Sequence, residues 1–589
     1  MTKRAAVCIC CGLFVVSFTG SFPEVAGALD LYPASLHFGN SPQTVTLTNR
    51  GAPTPLRLGQ IRIVGENAGD FSKITTCGSE LPAEASCTLS ISFRPGATGM
   101  RSAALVVGGE GEGGPLTVSL TGAGQFMALG ADRTHLINTF TNKPVFITGD
   151  TAYALALALS SDADIEAYLS DRQAKGMNLI WVGLVDANNH GDGKDNVGTT
   201  ENDTFGNNPW NGGPAFTGMS SSTAYWAHVD EVLQRAAAHG ITVLAGTAFA
   251  GSFASCNDPY TANMVAASDA TMLAYGAFLG NRYKSYPNII WLQGGDANVS
   301  LCGSALANKV SDIAKGILSV DTGHLMAVEA TSGVWGEPSA TNWSAHTYGA
   351  SNPSGWLTLG TIYPKGTPDR VFSAEISQIV SQCVTESTAT PYVPYFSMED
   401  PYEYEPLTGT PYNNQQLRQQ GYTEILSGAR LGRLFGSSGV WPFGSGCCMR
   451  GLTWQTNMGN LASFDQQRLG QLFRSREHWK LVGDLKHTVV TAGYGSGANL
   501  SVASRTSDGQ TIIAYIPNGN ATTLTVAMNK ISSGINLAAC WWFNPFSGAS
   551  TLIGNYANSG TRSFTPPDAN DWILVIDDAA ANLPAPGTP

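Results

Sequence analysis

The sequence predicts a multidomain chain: a (β/α)8 TIM barrel flanked by an N-terminal immunoglobulin-like β-sandwich and a C-terminal β-sandwich. Three observations predict it. At 589 residues the chain is too long for a single core. Both flanks alternate apolar and polar residues with period two in short runs separated by Gly, Pro and Asn, the pattern of half-buried strands. Between them, short apolar runs alternate with stretches of helical period, as in an α/β layer structure. The expected boundaries are 1–28 for a signal peptide, 29–124 for the first sandwich, 125–484 for the barrel, 485–578 for the second sandwich and 579–589 for a flexible tail.

Lys3 and Arg4 precede an apolar run from Ala5 to Phe18, and Ala26-Gly27-Ala28 follows. These are the charged region, apolar core and small-residue cleavage site of a secretory signal, so export and release near Leu29 are expected. The apolar run is short for a membrane span, and no later run reaches that length. Of the 11 cysteines, Cys8, Cys10 and Cys11 would leave with the signal. In an oxidising compartment Cys77 is expected to pair with Cys87, and Cys256 with Cys302. Cys383, Cys447, Cys448 and Cys540 stay unassigned.

The first sandwich is read from SLHF, QTVTLTN, LRLGQIRIV, CTLSISF, SAALVV and LTVSLTG. Within it, Gly109 to Gly114 spells G-x-G-x-x-G but lies between strands and opens no helix, so no dinucleotide cofactor is expected. The barrel begins with PVFITG, ending at Asp150 and Thr151. Ser161 then caps a helix that Gly176 stops. The second strand is NLIWVGLV, ending at Asp186; a long loop through Trp210, a helix from Ser222 to His239 and the third strand, ITVLAG, follow. The fourth strand, in PNIIWLQGGDAN, runs into Gly294-Gly295-Asp296, and the fifth is LMAVEA. The sixth is expected around Trp343 to Tyr348, the seventh at RVFSAE ending in Glu375, and the eighth at SGVWPF with Trp441. The second sandwich is read from NLSVASRT, QTIIAYIP, TLTVAMN, AACWWFNP and WILVIDD.

The carboxyl ends of barrel strands surround one mouth, so carboxylates there can converge whatever their sequence separation. Asp296 and Glu375 are the candidate pair, and paired carboxyls of this kind suit cleavage of a glycosidic bond. Glu329, Glu399 and Glu403 are the rivals of Glu375. Asp150, Thr151 and Asp186 are candidate sugar-hydroxyl ligands. Trp210, Trp335, Trp441, His346 and Tyr348 are candidate platforms for the apolar face of a sugar ring. A formal net charge of −12 argues against nucleic acid, whose phosphates need clustered Lys and Arg. No H-E-x-x-H or G-x-S-x-G occurs, and none of the eight cysteines beyond the signal falls in a C-x-x-C. Asp186-x-Asn188-x-His190-Gly191 begins like a calcium loop but meets Val197 where a bidentate Glu is needed, so no metal is expected.

Five stretches in order, NKPVFITGDTAYAL, DIEAYLSDRQAKGMNLIWVGLV, AYWAHVDEVLQRAAAHGITVLAG, YPNIIWLQGGDAN and FSAEISQI, together resemble the apiosidase-like glycoside hydrolases. IAYIPNG, CWWFNPFSG and FTPPDANDWILVID resemble the collagen-binding-type β-sandwich that follows that barrel. AGDFSKITTC, SCTLSISFRP and GPLTVSLTGAG resemble immunoglobulin-like domains of the ASPM, SPD-2 and Hydin type. The resemblance implies a retaining, exo-acting glycosidase with Asp296 as acid/base and Glu375 as nucleophile, which the signal segment would make a secreted one. Its expected substrate is a polysaccharide or oligosaccharide with a terminal furanose such as apiose or arabinose. Tyr153 stands where relatives carry Trp, and Ala374-Glu375 where they carry Gly-Glu. The alternative is a surface protein that binds carbohydrate or matrix without catalysis.

Overall fold

The computed structural model describes residues 28–38, 42–50, 54–96, 99–109, 115–159, 161–185, 202–250, 259–297, 299–330, 355–364, 371–404, 411–443, 452–519 and 522–588. The chain divides into two compact units, one built from residues before Thr121 and the other holding everything from Thr121 onward.

In the first unit Gln43–Arg50 pairs antiparallel with both Ala28–Tyr32 and Ser86–Phe93. A second sheet contains Leu56–Val64 paired antiparallel with Gly99–Gly109. Alternate residues of these strands, Val45, Leu47, Leu89, Ile91, Leu105 and Val107, are buried, as the period-two pattern requires. Cys77 and Cys87 form the expected disulfide. Cys302, in the other unit, is also disulfide-bonded, while its expected partner Cys256 lies outside the described residues.

The barrel strands are β1 Ile147–Thr151, β2 Leu179–Gly183, β3 Thr242–Gly246, β4 Ile289–Ala297, β5 Leu325–Ala330, β6 Gly360–Ile362, β7 Tyr395–Ser397 and β8 Gly432–Phe435. All pair in parallel around the ring, and a bridge between Ala327 and Leu359 closes it. The principal helices are α1 Asp162–Ala174, α2 Thr223–Ala238, α3 Asp269–Tyr283, α4 Val299–Leu318, α5 Phe372–Thr388, α6 Asn414–Ser427 and α7 Leu461–Arg474. Side chains on successive residues face opposite ways. Ile147, Leu179, Leu244, Ile290, Leu325, Phe396 and Leu434 fill the lumen. Ile180, Val182, Val243, Trp291, Met326 and Val328 face the helices. Phe126, Met127 and Leu136 join the lumen cluster ahead of β1, at its amino-terminal end.

The first five strands stand where the sequence puts them; the last three do not. The described part of RVFSAE, from Val371 onward, is not a strand: Phe372 to Thr388 is the helix α5, whose buried Ile376, Ile379 and Cys383 recur with helical spacing. The six-residue window is too short to separate the two periods. The seventh strand is instead Tyr395–Ser397, and the eighth, Gly432–Phe435, precedes SGVWPF. The sixth is Gly360–Ile362; the segment Trp343 to Tyr348 lies outside the described residues.

After α7 comes a six-stranded sheet with Thr511–Ile516 and Trp572–Asp578 at its centre, and a three-stranded sheet of Val490–Ala492, Leu524–Ala527 and Thr561–Phe564. The large sheet has two buried faces. Ile512, Ala514, Leu574 and Ile576 meet Leu524, Val526 and Phe564 of the small sheet. Ile513, Tyr515, Ile573 and Val575 meet Tyr422, Ile425, Leu426, Leu469 and Phe473 on α6 and α7. Arg418 of α6 reaches across to Asp571 at 2.7 Å and Arg476 to Asp577 at 2.7 Å. In consequence α6 is buried at every residue from Leu417 to Ser427. The tail expected to be flexible is tied here too: Arg476 donates to the Pro584 carbonyl at 3.0 Å and Gly587 N–H to Ser475 Oγ at 3.0 Å.

Candidate active site

The carboxyl end of β4 is shaped by its glycines. Gly294 pairs with Glu329 of β5, but the next paired position is Ala297 with Ala330, so Gly294-Gly295-Asp296 forms a bulge. Bulges at barrel rims re-aim the side chains beside them. Both glycines have positive φ, 95° and 81°. A Cβ on Gly294 would lie 2.3 Å from the Glu329 carbonyl oxygen, and one on Gly295 2.5 Å from the Phe249 ring. The turn that delivers Asp296 to the rim therefore admits no other residue at those two positions.

Alternation along β1 separates its two candidates. Asp150 points outward, wholly buried, and its carboxylate accepts from Tyr168 Oη at 2.7 Å and Arg172 Nε at 2.5 Å. Burial pushes its carboxyl above the ordinary range, with Arg172 opposing. Asp150 thus braces β1 to α1 behind the wall, away from any sugar. Thr151, one residue on, faces inward and lies beside the hydroxyl of Tyr402.

Tyr402 organises the inner rim. Burial pushes its phenol well above the usual value, the neighbouring Glu399 charge adds to this, and Glu329 contributes as well; the phenol is hydrogen-bonded to Glu399. Glu399 follows β7 by two residues and is 4% exposed, and Glu329 near the end of β5 is fully buried. The mouth thus gathers Thr151, Glu329, Glu399 and Tyr402 on one side, with the Asp296 bulge hydrogen-bonded to the Glu329 strand.

Glu375 does not join them. It lies in the first turn of α5, fully buried, where Tyr412 Oη donates to one carboxylate oxygen at 2.5 Å and Gln420 of α6 donates to the other. That places it in the helical layer outside the wall. The same layer holds Arg433 of β8, which meets Glu424 at 2.8 Å and also bonds Asp400.

Aromatic rings line the mouth. Tyr153 stacks on Trp441 with centroids 4.6 Å apart and on Phe249 at 5.7 Å, with Trp181 at 5.5 Å. Tyr153, Trp181, Phe249, Leu292 and the glycines 183, 246, 294 and 295 border one concavity. Trp210 is elsewhere: it is 1% exposed and packs against Phe216 and Tyr275 in the helix layer, so it is core and not a platform. Asp186, Trp335, His346 and Tyr348 lie outside the described residues. Glu399, Glu329 and Tyr402 are the site residues that sequence reasoning undervalues. The usable signal is Met398-Glu399 directly after the short apolar run at Tyr395, which Pro394 disguises.

A model of the family described as "Apiosidase-like, catalytic domain" matches residues 131–480, and one described as "Putative collagen-binding domain of a collagenase" matches residues 486–577. A solved glycoside hydrolase family 5 structure from Bacteroides vulgatus ATCC 8482 aligns with TM-score 0.64 at 21% identity, covering 77% of this chain and 93% of its own. Another, described as "Glycoside hydrolase", aligns with TM-score 0.64 at 20% identity, covering 78% and 98%. At such identities the likeness speaks for the fold. No curated protein matches the sequence.

Proposed function

Because this chain belongs to the apiosidase-like family and is a glycoside hydrolase, we propose that it is a secreted, retaining, exo-acting enzyme that releases a terminal furanose of the apiose or arabinose kind. In this reading Asp296 is the acid/base, and the nucleophile is Glu399 in place of Glu375. The carrying observation is the position of Glu399: just past β7, buried at the mouth, bonded by Tyr402 and near Thr151 and Glu329. Retaining hydrolysis needs one carboxylate to attack the anomeric carbon while another carboxyl protonates the leaving oxygen. The protonating group then takes a proton from the water that cleaves the glycosyl-enzyme. Tyr402 donates to Glu399 and fixes which oxygen faces the sugar. The stacked Tyr153 and Trp441 supply an apolar surface for the ring, and the rigid bulge holds Asp296 at the strand end.

Asp186, His346 and Tyr348 fall in the sequence segments that follow β2 and β5, and are retained as proposed sugar contacts. Secretion rests on the Ala5–Phe18 run and the Ala26-Gly27-Ala28 site. The test is a panel of aryl furanosides and pyranosides, with the anomeric configuration of the first-formed product read by NMR. Asp296→Asn and Glu399→Gln are expected to abolish turnover with an unchanged melting temperature. Glu375→Gln is expected to keep turnover, and loss of activity in that variant alone would return the nucleophile to position 375.

A further inference from the structure

The segment leaving β7 sends neighbouring side chains to opposite sides of the wall. Glu399 and Tyr402 go to the mouth, whereas Asp400 and Glu403 go to the back, Asp400 onto Arg433. Glu403 is 2% exposed. Its carboxylate accepts from Ser437 Oγ at 3.0 Å and lies at the amino-terminal end of α7, beside the Ala462 N–H and the Asn460 side chain. Its peptide is clamped at the same place: Glu403 N–H donates to the Gly436 carbonyl at 3.0 Å, and Ser438 N–H donates to the Glu403 carbonyl at 2.9 Å. The neighbouring Tyr402 ring lies against Gly436, where a Cβ would come within 2.1 Å of it. Side chain and backbone of residue 403 therefore anchor the link between Tyr402 and the end of β8.

We propose that Glu403 is a positioning residue of the reaction: ionised, it locks the Glu399–Tyr402 segment onto Ser437 and the start of α7, and protonated, it releases that lock. The proposal rests on the reading of Glu399 as nucleophile. Burial pushes the Glu403 carboxyl up to about 7, against the Ser437 hydroxyl, the Ala462 N–H, the Asn460 side chain and the charge of Arg172, which all favour ionisation. Arg172 of α1 is the charged group that faces it. A carboxylate at a helix amino terminus is favoured by the helix dipole, so the ionised form is the one this pocket holds in register. The acid limb of the activity profile then follows Glu403, near neutrality, and not the nucleophile.

The test is the pH dependence of kcat/KM for the full chain on its best aryl glycoside, for Glu403→Gln, Ser437→Ala and Glu399→Gln. Glu403→Gln should lower the plateau about tenfold, the scale of a small misplacement of a reacting group, and should remove the limb near pH 7. Ser437→Ala deletes a bond that favours the ionised form and forms part of the lock, so it should move the limb to higher pH and lower the plateau less than Glu403→Gln does, because the Ala462 N–H and the Asn460 side chain remain. An unmoved limb in both variants overturns the proposal. If Glu403→Gln does not fold, the Ser437→Ala shift decides alone. Full activity in Glu399→Gln would instead strike the underlying nucleophile assignment, which keeps the two failures apart.

Discussion

Replacing Tyr402 by Phe deletes one hydroxyl and nothing else from the inner rim. The ring is 5% exposed and seated against Gly436, so the phenylalanine ring should occupy the same place. What is lost is the hydrogen bond to the Glu399 carboxylate. A hydrogen bond to a charged group is worth about 1.5–3 kcal/mol, and about 1.4 kcal/mol is tenfold in rate, so kcat/KM should fall roughly 10- to 150-fold. The loss should appear in kcat more than in KM, since the bond orients a group that charges and discharges during reaction. Steady-state kinetics on an activated aryl glycoside, alongside a thermal melt to show intact folding, measures it. A Tyr402→Phe enzyme within threefold of wild type would refute the view that Tyr402 orients the nucleophile.

Glu375→Gln, by contrast, should leave kcat within about twofold but lose roughly 1–3 kcal/mol of stability, because Tyr412 and Gln420 both donate to a buried carboxylate there; urea unfolding and kinetics on one preparation separate the two effects. Arg418→Ala should cost about 3–5 kcal/mol, since it leaves the buried Asp571 without its cation and Asp465 with Arg468 alone, and the denaturation midpoint reports it. His324 donates from both ring nitrogens, to Asp321 at 2.8 Å and to the Tyr286 carbonyl at 2.7 Å. Burial would lower its pKa, but the Asp321 charge and these bonds together raise it. Its stabilisation is therefore complete below the ordinary histidine value of 6.5 and is lost as pH rises through the raised value. Asp321, drawn down to about 2, contributes above its ordinary 3.8 and loses that contribution as pH falls toward 2. His324→Gln should thus flatten the decline of the urea midpoint above pH 6.5.

The first five strands were legible because each is a run of apolar residues long enough to show its own period, and the Gly-Gly-Asp ending of β4 marks itself. The last three were not, for three separate reasons. β7 is three residues long and follows Pro394, which argues against a strand. β8 carries Arg433, a residue that reads as surface, because Glu424, Asp400 and Gln466 neutralise or bond it out of sight in the sequence. The first turn of α5 mimicked a strand until its next two turns were counted. Asp150 was misjudged on a simpler point: a residue at a strand end has even odds of facing either way, and only its neighbours decide. Trp210 likewise has no local sign of being core, since Phe216 and Tyr275 meet it only in the folded chain.

A barrel helix ordinarily keeps one wet side, which lets a neighbouring domain be gained or shed without touching the enzyme. The helix from Asn414 to Ser427 has surrendered that freedom, with its outer side sealed by Tyr515, Ile513 and Val575 and bonded to Asp571 through Arg418. Recombination at the junction near residue 485 would therefore strip a catalytic barrel of the sheet's side of a shared interior. Chimeras that exchange the C-terminal sheets should survive only when they carry a matching set of residues on that helix, so the two parts are constrained to change together, as one inherited unit.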